Sequence, residues 1–490
     1  MNLLLLAPEI SLAFFALLVI MLDLFLERKG TLAVVSLIGV VVSGGFILAI
    51  AGGGPQAIFN NALVVDNFAI FFKLLFLGIA ALVILSSTDY VYKLARFEGE
   101  YYALVLMATI GMMLMSATAE LISLYIALEL ASISLYALVG FLKDQKSTEA
   151  SLKYLLLGAV ASAILLYGMA LVFGATGKTQ LSEIAQAIQL AVAVQSVSPP
   201  VINPALILGL VLLVAGFGFK IAAVPFHMWV PDVYEGAPTP ITAFLSVGSK
   251  AAGFAIILRV FFSAFSLPDG LSMDWGLIFA VLAVISMTVG NITAIPQSNI
   301  KRLLGYSSVA QAGYLMVGLA TMGLSPAKDV MGQSGIMFFL ASYALTNLGA
   351  FTAIIAISNK LNSDKIDDYS GMIKRAPLLA AGLTLCLISL IGMPPAAGFM
   401  AKFYIFSSAV QHNLLWLVII AVINSVISAY YYLRIVKVMW LGEPASQDKV
   451  PSSGALRLSL LLSCLGVLIL GILPGMVMKL AQMAASMFAP

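Results

Sequence analysis

The 490-residue chain is 62% hydrophobic and only 10% charged, with a formal net charge of +3. A soluble domain is about one-quarter charged, so this composition excludes one. No basic stretch is long enough to track a phosphate backbone, and the small positive balance does not point to nucleic acid. The two cysteines, Cys386 and Cys464, sit far apart in apolar segments. Without Cys-x-x-Cys or Cys/His clusters, and without a Gly-rich nucleotide loop, there is no sequence case for an iron–sulfur, haem, zinc or nucleotide site.

Apolar runs of about 20 residues, long enough to cross roughly 30 Å of hydrocarbon as helices, recur from end to end. The ten-residue alternation of a membrane β-barrel is missing. The expectation is an all-α polytopic membrane protein of fourteen spans. Met1 leads straight into Leu3–Leu6 with no basic n-region or cleavage site, which predicts a retained first helix rather than a removable signal. An N-terminal unit (1–100) holds spans 3–26, 31–51 and 66–86. Five more, 101–118, 120–141, 149–174, 204–230 and 240–264, make a second unit (101–264). A third (275–441) holds 275–295, 301–322, 335–358, 378–408 and 413–441, and a last span, 456–480, lies in the C-terminal unit 456–490.

Within the second of these groups, between spans 149–174 and 204–230, residues 178–200 form the longest outer loop. Leu181, Ile184 and Ile188 predict a short interfacial helix there, before Pro199-Pro200. Residues 359–377 read as a plain polar linker. Arg28, Lys29, Lys93, Arg96, Lys143, Lys146, Lys301, Arg302, Lys360, Lys365, Lys374, Arg375, Lys449 and Arg457 fall in alternate loops, against Lys178, Lys328 and Lys479 on the other side. The positive-inside rule then puts the first set in the cytoplasm and both termini in the periplasm of a bacterial inner membrane.

Two spans look broken. The seventh carries Gly216, Gly218 and Pro225, and the twelfth carries Gly392, Pro394, Pro395 and Gly398. Proline removes a backbone hydrogen bond at membrane depth, which is tolerated only where the break lines protein or water. Matching breaks in two halves point to a transporter built on repeats. The breaks lie five spans apart, and five is odd, so the second copy would insert upside down. Tyr136-Ala-Leu-Val-Gly140 and Tyr314-Leu-Met-Val-Gly318 form a faint echo of such a repeat.

Glu129, Lys153, Lys220, Lys250 and Lys402 each fall inside a long apolar span. Each costs about 2.5–3.5 kcal/mol at the bilayer centre, so they must face each other, water or a partner. Glu129 is either a structural carboxyl bonded to Ser132 or a neighbour, or the counter-charge of a buried lysine. Lys153 lies near the cytoplasmic face and either snorkels to the headgroups or bridges Glu129 to the next helix. Lys220 sits beside the seventh-span break, too deep to snorkel. A desolvated lysine releases its proton readily and a nearby carboxylate restores its hold, so such a pair can shuttle protons. Lys250 is mid-span among small residues, and Lys402 follows the second break as the terminal donor or acceptor toward the outside. His227, two residues after Pro225, is either a hydrogen-bonded structural histidine or a relay. His412 reads as inert, Arg259, Arg434 and Lys437 as anchors, and Lys73 is unassigned.

The run Gly216-Phe-Gly-Phe-Lys-Ile-Ala-Ala-Val-Pro-Phe-His-Met-Trp-Val-Pro-Asp-Val-Tyr-Glu-Gly-Ala-Pro-Thr-Pro240 closely resembles a signature of the antiporter-like subunits of respiratory complex I. So do Ser298-Asn-Ile-Lys-Arg-Leu-Leu-Gly-Tyr-Ser-Ser308 and Gly392-Met-Pro-Pro-Ala-Ala-Gly-Phe-Met-Ala-Lys402. The resemblance covers essentially the whole chain and is nearest the subunit N branch, with Lys402 where another branch would carry glutamate. It implies fourteen helices with two inverted five-helix repeats and broken helices 7 and 12. It also implies a pair of Glu129 with Lys220, a modulating Lys153, a central Lys250 and a terminal Lys402, joined by water along the membrane midplane. FMN, iron–sulfur clusters and quinone are expected in partner subunits. The expected partners are a neighbouring antiporter-like subunit, small membrane subunits and the lipid bilayer. The alternative is a subunit of a multi-subunit cation/proton antiporter.

Overall fold

A computed structural model describes residues 3–486 apart from 27–29, 95–96, 194–202, 266–270, 325–329, 445 and 447. Arg28, Lys29, Arg96, Pro199, Pro200 and Lys328, used above for orientation and loop structure, lie outside the described residues. The helices in chain order are α1 (Ala7–Phe25), α2 (Gly30–Ile50), α3 (Asn67–Ser87), α4 (Glu98–Ala117), α5 (Leu121–Val139), α6 (Gln145–Thr176), α7 (Leu181–Ala193), α8 (Pro204–Ile221), α9 (Val230–Gly236) and α10 (Thr239–Phe244). They continue as α11 (Lys250–Ala264), α12 (Leu271–Ala294), α13 (Ile300–Leu324), α14 (Met331–Leu361), α15 (Met372–Arg375), α16 (Pro377–Ile391), α17 (Ala397–Gln411), α18 (Leu415–Leu441), α19 (Gly454–Ile472) and α20 (Gly475–Ala485). Among the described residues thirteen helical stretches are long and apolar enough to cross a membrane, and the broken pair α16–α17 makes a fourteenth crossing.

With no hydrophobic drive between helices in lipid, close approach comes from small residues. Gly168 of α6 faces Gly209 of α8 so closely that an added Cβ would stand 2.9 Å from the Gly209 carbonyl. The most enclosed segments are Thr239–Ala264 and α13, which form the centre of the bundle, while α1, α2 and α19 lie at its rim.

Both expected breaks are present. Helix α8 ends at Ala222, which takes a left-handed conformation (φ 63°), and α9 restarts at Val230. Helix α16 ends at Gly392 (φ 90°), and α17 restarts at Ala397. The Val224–Pro225 and Pro394–Pro395 peptides are cis. A third irregularity was not legible in the sequence: residues Leu245–Ser249 form a π-helical turn directly before Lys250.

Three connections depart from expectation. Residues 359–377 are not a plain linker. Ile366, Tyr369 and Met372 bury completely, and Ile366 N–H and Ile300 N–H bond the carbonyls of Ser298 and Asp364 (both 2.9 Å). The last span stops at Ile472 rather than near 480, because Pro474 cannot continue the ladder, and α20 follows as a separate helix. Outside the helices a small hairpin, Gln56–Ile58 with Leu63–Val65, was unforeseen. Ala119 N–H bonds Ala62 O (2.9 Å) and Leu181 N–H bonds Ala119 O (3.0 Å), tying the hairpin, the α4–α5 turn and the interfacial helix α7 into one cap.

Candidate functional site

Lys220, Lys250 and Lys402 are each at most 5% exposed, and each sits at a helical discontinuity. A regular helix spends its carbonyls on its own ladder, so a cation buried in one finds no acceptors. A break or π turn leaves room and free carbonyls.

Lys402 shows this most directly. Its Nζ donates back to the carbonyls of Ile391 (2.8 Å) and Leu390 (3.3 Å), the freed C-terminal end of α16, and to Ser425 Oγ (2.8 Å). A side chain at Gly392 would meet Lys402 Cδ at 2.9 Å, so both the left-handed turn and the lysine require glycine there. The Tyr314 ring lies 4.4 Å from the ammonium, face on. In the other broken helix the arrangement is reversed. Lys220 belongs to the half before the break, and the freed Phe219 carbonyl is taken by Trp229 Nε1 (3.1 Å).

Lys220 Nζ donates to Ser132 Oγ of α5 at 2.8 Å. Glu129, one turn earlier on α5, accepts a hydrogen bond from Ser162 Oγ of α6. Ser132, Ser162, Gly158, Gly216 and Lys220 line one small cavity with room for about one water molecule. The expected carboxylate and lysine are therefore brought together, but through two serines and a water-sized gap rather than a direct ion pair. Glu129 is within electrostatic reach of Lys220. Lys250 Nζ donates to the Ser308 carbonyl and to Ser308 Oγ (2.6 Å) on α13, below the Tyr343 ring at 5.6 Å. The Tyr234 hydroxyl shares Ser308 Oγ at 3.2 Å.

Lys153 does not join this group. It lies eight residues into α6, with 43% of its side chain exposed, and pairs with Asp232 of α9 (2.7 Å) and Glu149 (2.8 Å). Arg302 at the start of α13 takes the other Asp232 oxygen (2.7 Å) and reaches Glu235 (3.3 Å). These charges form a partly exposed cluster around α9, just after the α8–α9 break. His227 lies within that break, half-buried, with Nδ1 lacking a hydrogen-bond partner, and among the described residues no hydrogen bond joins it to the lysines. The two cysteines, distant in sequence, meet across α16 and α19.

Two buried ion pairs escaped sequence reasoning. Arg259 is not a headgroup anchor. It is 1% exposed and forms a two-pronged bridge to Asp66 (2.6 and 3.1 Å), with a further bond to Ser116 O at 2.7 Å. Lys73, left unassigned, faces Glu9 at 2.7 Å, both buried. A carboxylate in the first apolar span and Asp66 before the third were the available signals; nothing in the sequence paired them with their partners. Ser162, Ser308 and Ser425 carry no pattern that sets them apart from other membrane serines.

A fourteen-crossing bundle with two broken helices and a row of buried lysines defines the class of antiporter-like ion-translocating membrane subunits. The profile described as NADH:quinone oxidoreductase/Mrp antiporter, TM, matches residues 118–428, and the chain belongs to that family. It is 49% identical over 481 residues to the NADH-quinone oxidoreductase subunit N of Dehalococcoides mccartyi, covering 98% of both chains. With the subunit N of Trichlorobacter lovleyi it shares 45%, over 99% of this chain and 97% of that one. Among solved structures it superposes on a chain of respiratory complex I from Thermus thermophilus with bound aureothin (TM-score 0.78, 32% identity, 96% and 98% covered). A chain of the Mrp complex from Dietzia sp. shares the fold (TM-score 0.84, 99% and 97% covered) at 20% identity.

Proposed function

We propose that the chain is the subunit N-type proton-translocating membrane subunit of an NADH:quinone oxidoreductase. The observation that carries the mechanism is the placement of Lys220, Lys250 and Lys402 at three helical discontinuities, each with hydroxyl or carbonyl partners able to hold or release an ammonium proton. Near-full-length similarity to subunit N sequences favours this reading over a cation/proton antiporter subunit, since the Mrp likeness is one of fold at 20% identity.

Glu129 is the control charge. While it stands beside Ser162 at the cavity this serine shares with Lys220, its field stabilises the Lys220 ammonium; a change at the edge of the subunit that draws it away lets the proton move toward Lys250 and then Lys402. Moving one charge against 100 mV takes about 2.3 kcal/mol. Opposite unit charges attract by on the order of 2–4 kcal/mol at about 4–8 Å and an effective dielectric constant of 20, so drawing Glu129 away raises the free energy of the Lys220 proton by that order, comparable with the load. Lys153, with Asp232 and Arg302, belongs to the cytoplasmic mouth, and His227 within the break is the candidate donor next to it. Residues 101–264 and 275–441 are two inverted repeats, each containing one broken helix, between an N-terminal unit and a C-terminal helix. Both termini face the periplasm of the inner membrane. FMN, iron–sulfur clusters and quinone chemistry belong to partner chains.

The test is proton translocation by the whole assembly, purified through a tag on this subunit and reconstituted. Lys220→Ala is expected to lower the protons moved per electron while quinone reduction continues. An unchanged ratio would refute the mechanism. Recovery of membrane subunits alone, without redox partners, would shift the function to the antiporter.

A further inference from the structure

Helix α13 stands between the last two lysines and presents three buried polar side chains toward them. Ser308 holds the Lys250 ammonium. Ser307 is hydrogen-bonded to the hydroxyl of Tyr432 on α18. Gln311, one turn further on, donates its amide to Leu390 O at 3.1 Å, the same carbonyl that accepts from Lys402. The Gln311 side chain also contacts the Tyr432 hydroxyl. Tyr432 is fully buried and Gln311 only 2% exposed. On the Lys250 side, the Tyr343 hydroxyl reaches Ser308 and lies within electrostatic range of Tyr432.

Packing alone does not call for these groups. A phenylalanine would fill the Tyr432 site without a hydroxyl to desolvate, and a buried hydroxyl must find partners at a cost if it fails. Here it finds Ser307, which adjoins the serine that holds Lys250, Gln311, which shares an acceptor with Lys402, and the neighbouring Tyr431. Tyr431 touches the Tyr432 hydroxyl but donates its own proton elsewhere, to Asn291 Oδ1 (2.9 Å), in a polar knot with Asn424. The helix thus gives one tyrosine to architecture and turns the next into the space between the lysines.

We infer that the Tyr432 hydroxyl, held by Ser307 and Gln311, relays the proton between Lys250 and Lys402. The inference rests on the reading of those lysines as proton carriers. A phenol can accept a proton on one side while releasing its own on the other. The proton lost by the Lys250 ammonium enters from the Ser308–Ser307 side, the phenolic proton leaves toward the neutral Lys402 amine, and Tyr432 ends neutral. No electron moves. Gln311 is a positioning residue, since an amide beside a shared carbonyl fixes the hydroxyl's direction without carrying the charge.

The experiment uses the intact reconstituted complex with Tyr432→Phe, the Ser307→Ala/Gln311→Leu double variant, and Lys402→Met as reference. Readouts are protons per electron, the solvent deuterium effect on the pumping rate, and complex abundance on a native gel. The expected result is that Tyr432→Phe assembles and its protons per electron fall to the Lys402→Met value. The double variant, which keeps the Tyr432 ring in place, is expected to pump more slowly with a larger deuterium effect than wild type. Wild-type pumping by Tyr432→Phe beside a defective Lys402→Met overturns the relay and leaves the lysines in place. Wild-type pumping by Lys402→Met itself overturns the lysine reading and the relay with it. If Tyr432→Phe fails to assemble, the double variant decides, and a wild-type rate and deuterium effect there overturn the inference.

Discussion

Replacing Lys402 with methionine asks whether this lysine carries protons or merely plugs a broken helix. Its ammonium makes three hydrogen bonds, to Ile391 O, Leu390 O and Ser425 Oγ. Each charged bond is worth about 1.5–3 kcal/mol, so a simple sum makes their loss cost on the order of 5–9 kcal/mol. The surroundings argue otherwise. Leu390 O keeps its bond from Gln311 Nε2 (3.1 Å), and Ile391 O keeps its bond from Ser425 Oγ (2.8 Å), so neither freed carbonyl is orphaned. The variant also sheds the desolvation penalty of a buried ammonium, several kcal/mol per ion. Methionine matches the lysine stem in length and flexibility. The opposing terms are of similar size, so Lys402→Met is expected to assemble to near wild-type abundance and melt near the wild-type temperature, with fewer protons moved per electron. The assay pairs native-gel abundance and thermal unfolding of the extracted complex with proton uptake in proteoliposomes. A variant that does not assemble would show that the lysine is a structural plug. A stable variant with an unchanged proton ratio would show that it carries no proton.

The buried pairs outside the lysine row give predictions of the opposite kind. Arg259→Met leaves Asp66 charged and enclosed, and is expected to cost about 3–5 kcal/mol, read as reduced complex abundance and a lower melting temperature. Wild-type melting would refute the assignment of Arg259 to a buried bridge. Lys73→Met strands Glu9 in the same way, whereas Lys73→Met combined with Glu9→Leu is expected to recover most of the loss, because both charges are gone. A double variant as unstable as the single one would mean that Lys73 acts through something other than Glu9.

Much of this architecture was legible because the membrane imposes a coarse rule. Each span must be long and apolar, so thirteen spans and the broken one could be read from runs of hydrophobic residues, and Gly/Pro clusters marked the breaks. Charges in such spans are conspicuous for the same reason, which is how Glu129, Lys220, Lys250 and Lys402 stood out. What stayed hidden was partnership. Lys153 reads as a bridge to Glu129 only until α6 is seen to start four residues earlier than expected, at Gln145, with Asp144 capping it, which leaves the lysine near the Asp232 of α9. Arg259 resembles an anchor because it sits near a span end, yet the folded cap places Asp66 beside it. The π turn before Lys250 comes from an extra residue in a continuous helix, and its one glycine, Gly248, looks like any other glycine in a membrane helix.

The position of the three lysines along their crossings has an electrical consequence. On the proposed pathway Glu129 and Lys250 stand in the interior of their helical stretches, and Lys220 and Lys402 stand beside the breaks that interrupt their crossings, so the pathway runs sideways through the bundle. The membrane potential falls from one face to the other, so a proton passed sideways among groups at one depth does no work against it. The lateral hops are therefore voltage-silent. The electrical load falls on the two vertical segments, from one membrane face to the row and from the row to the other face.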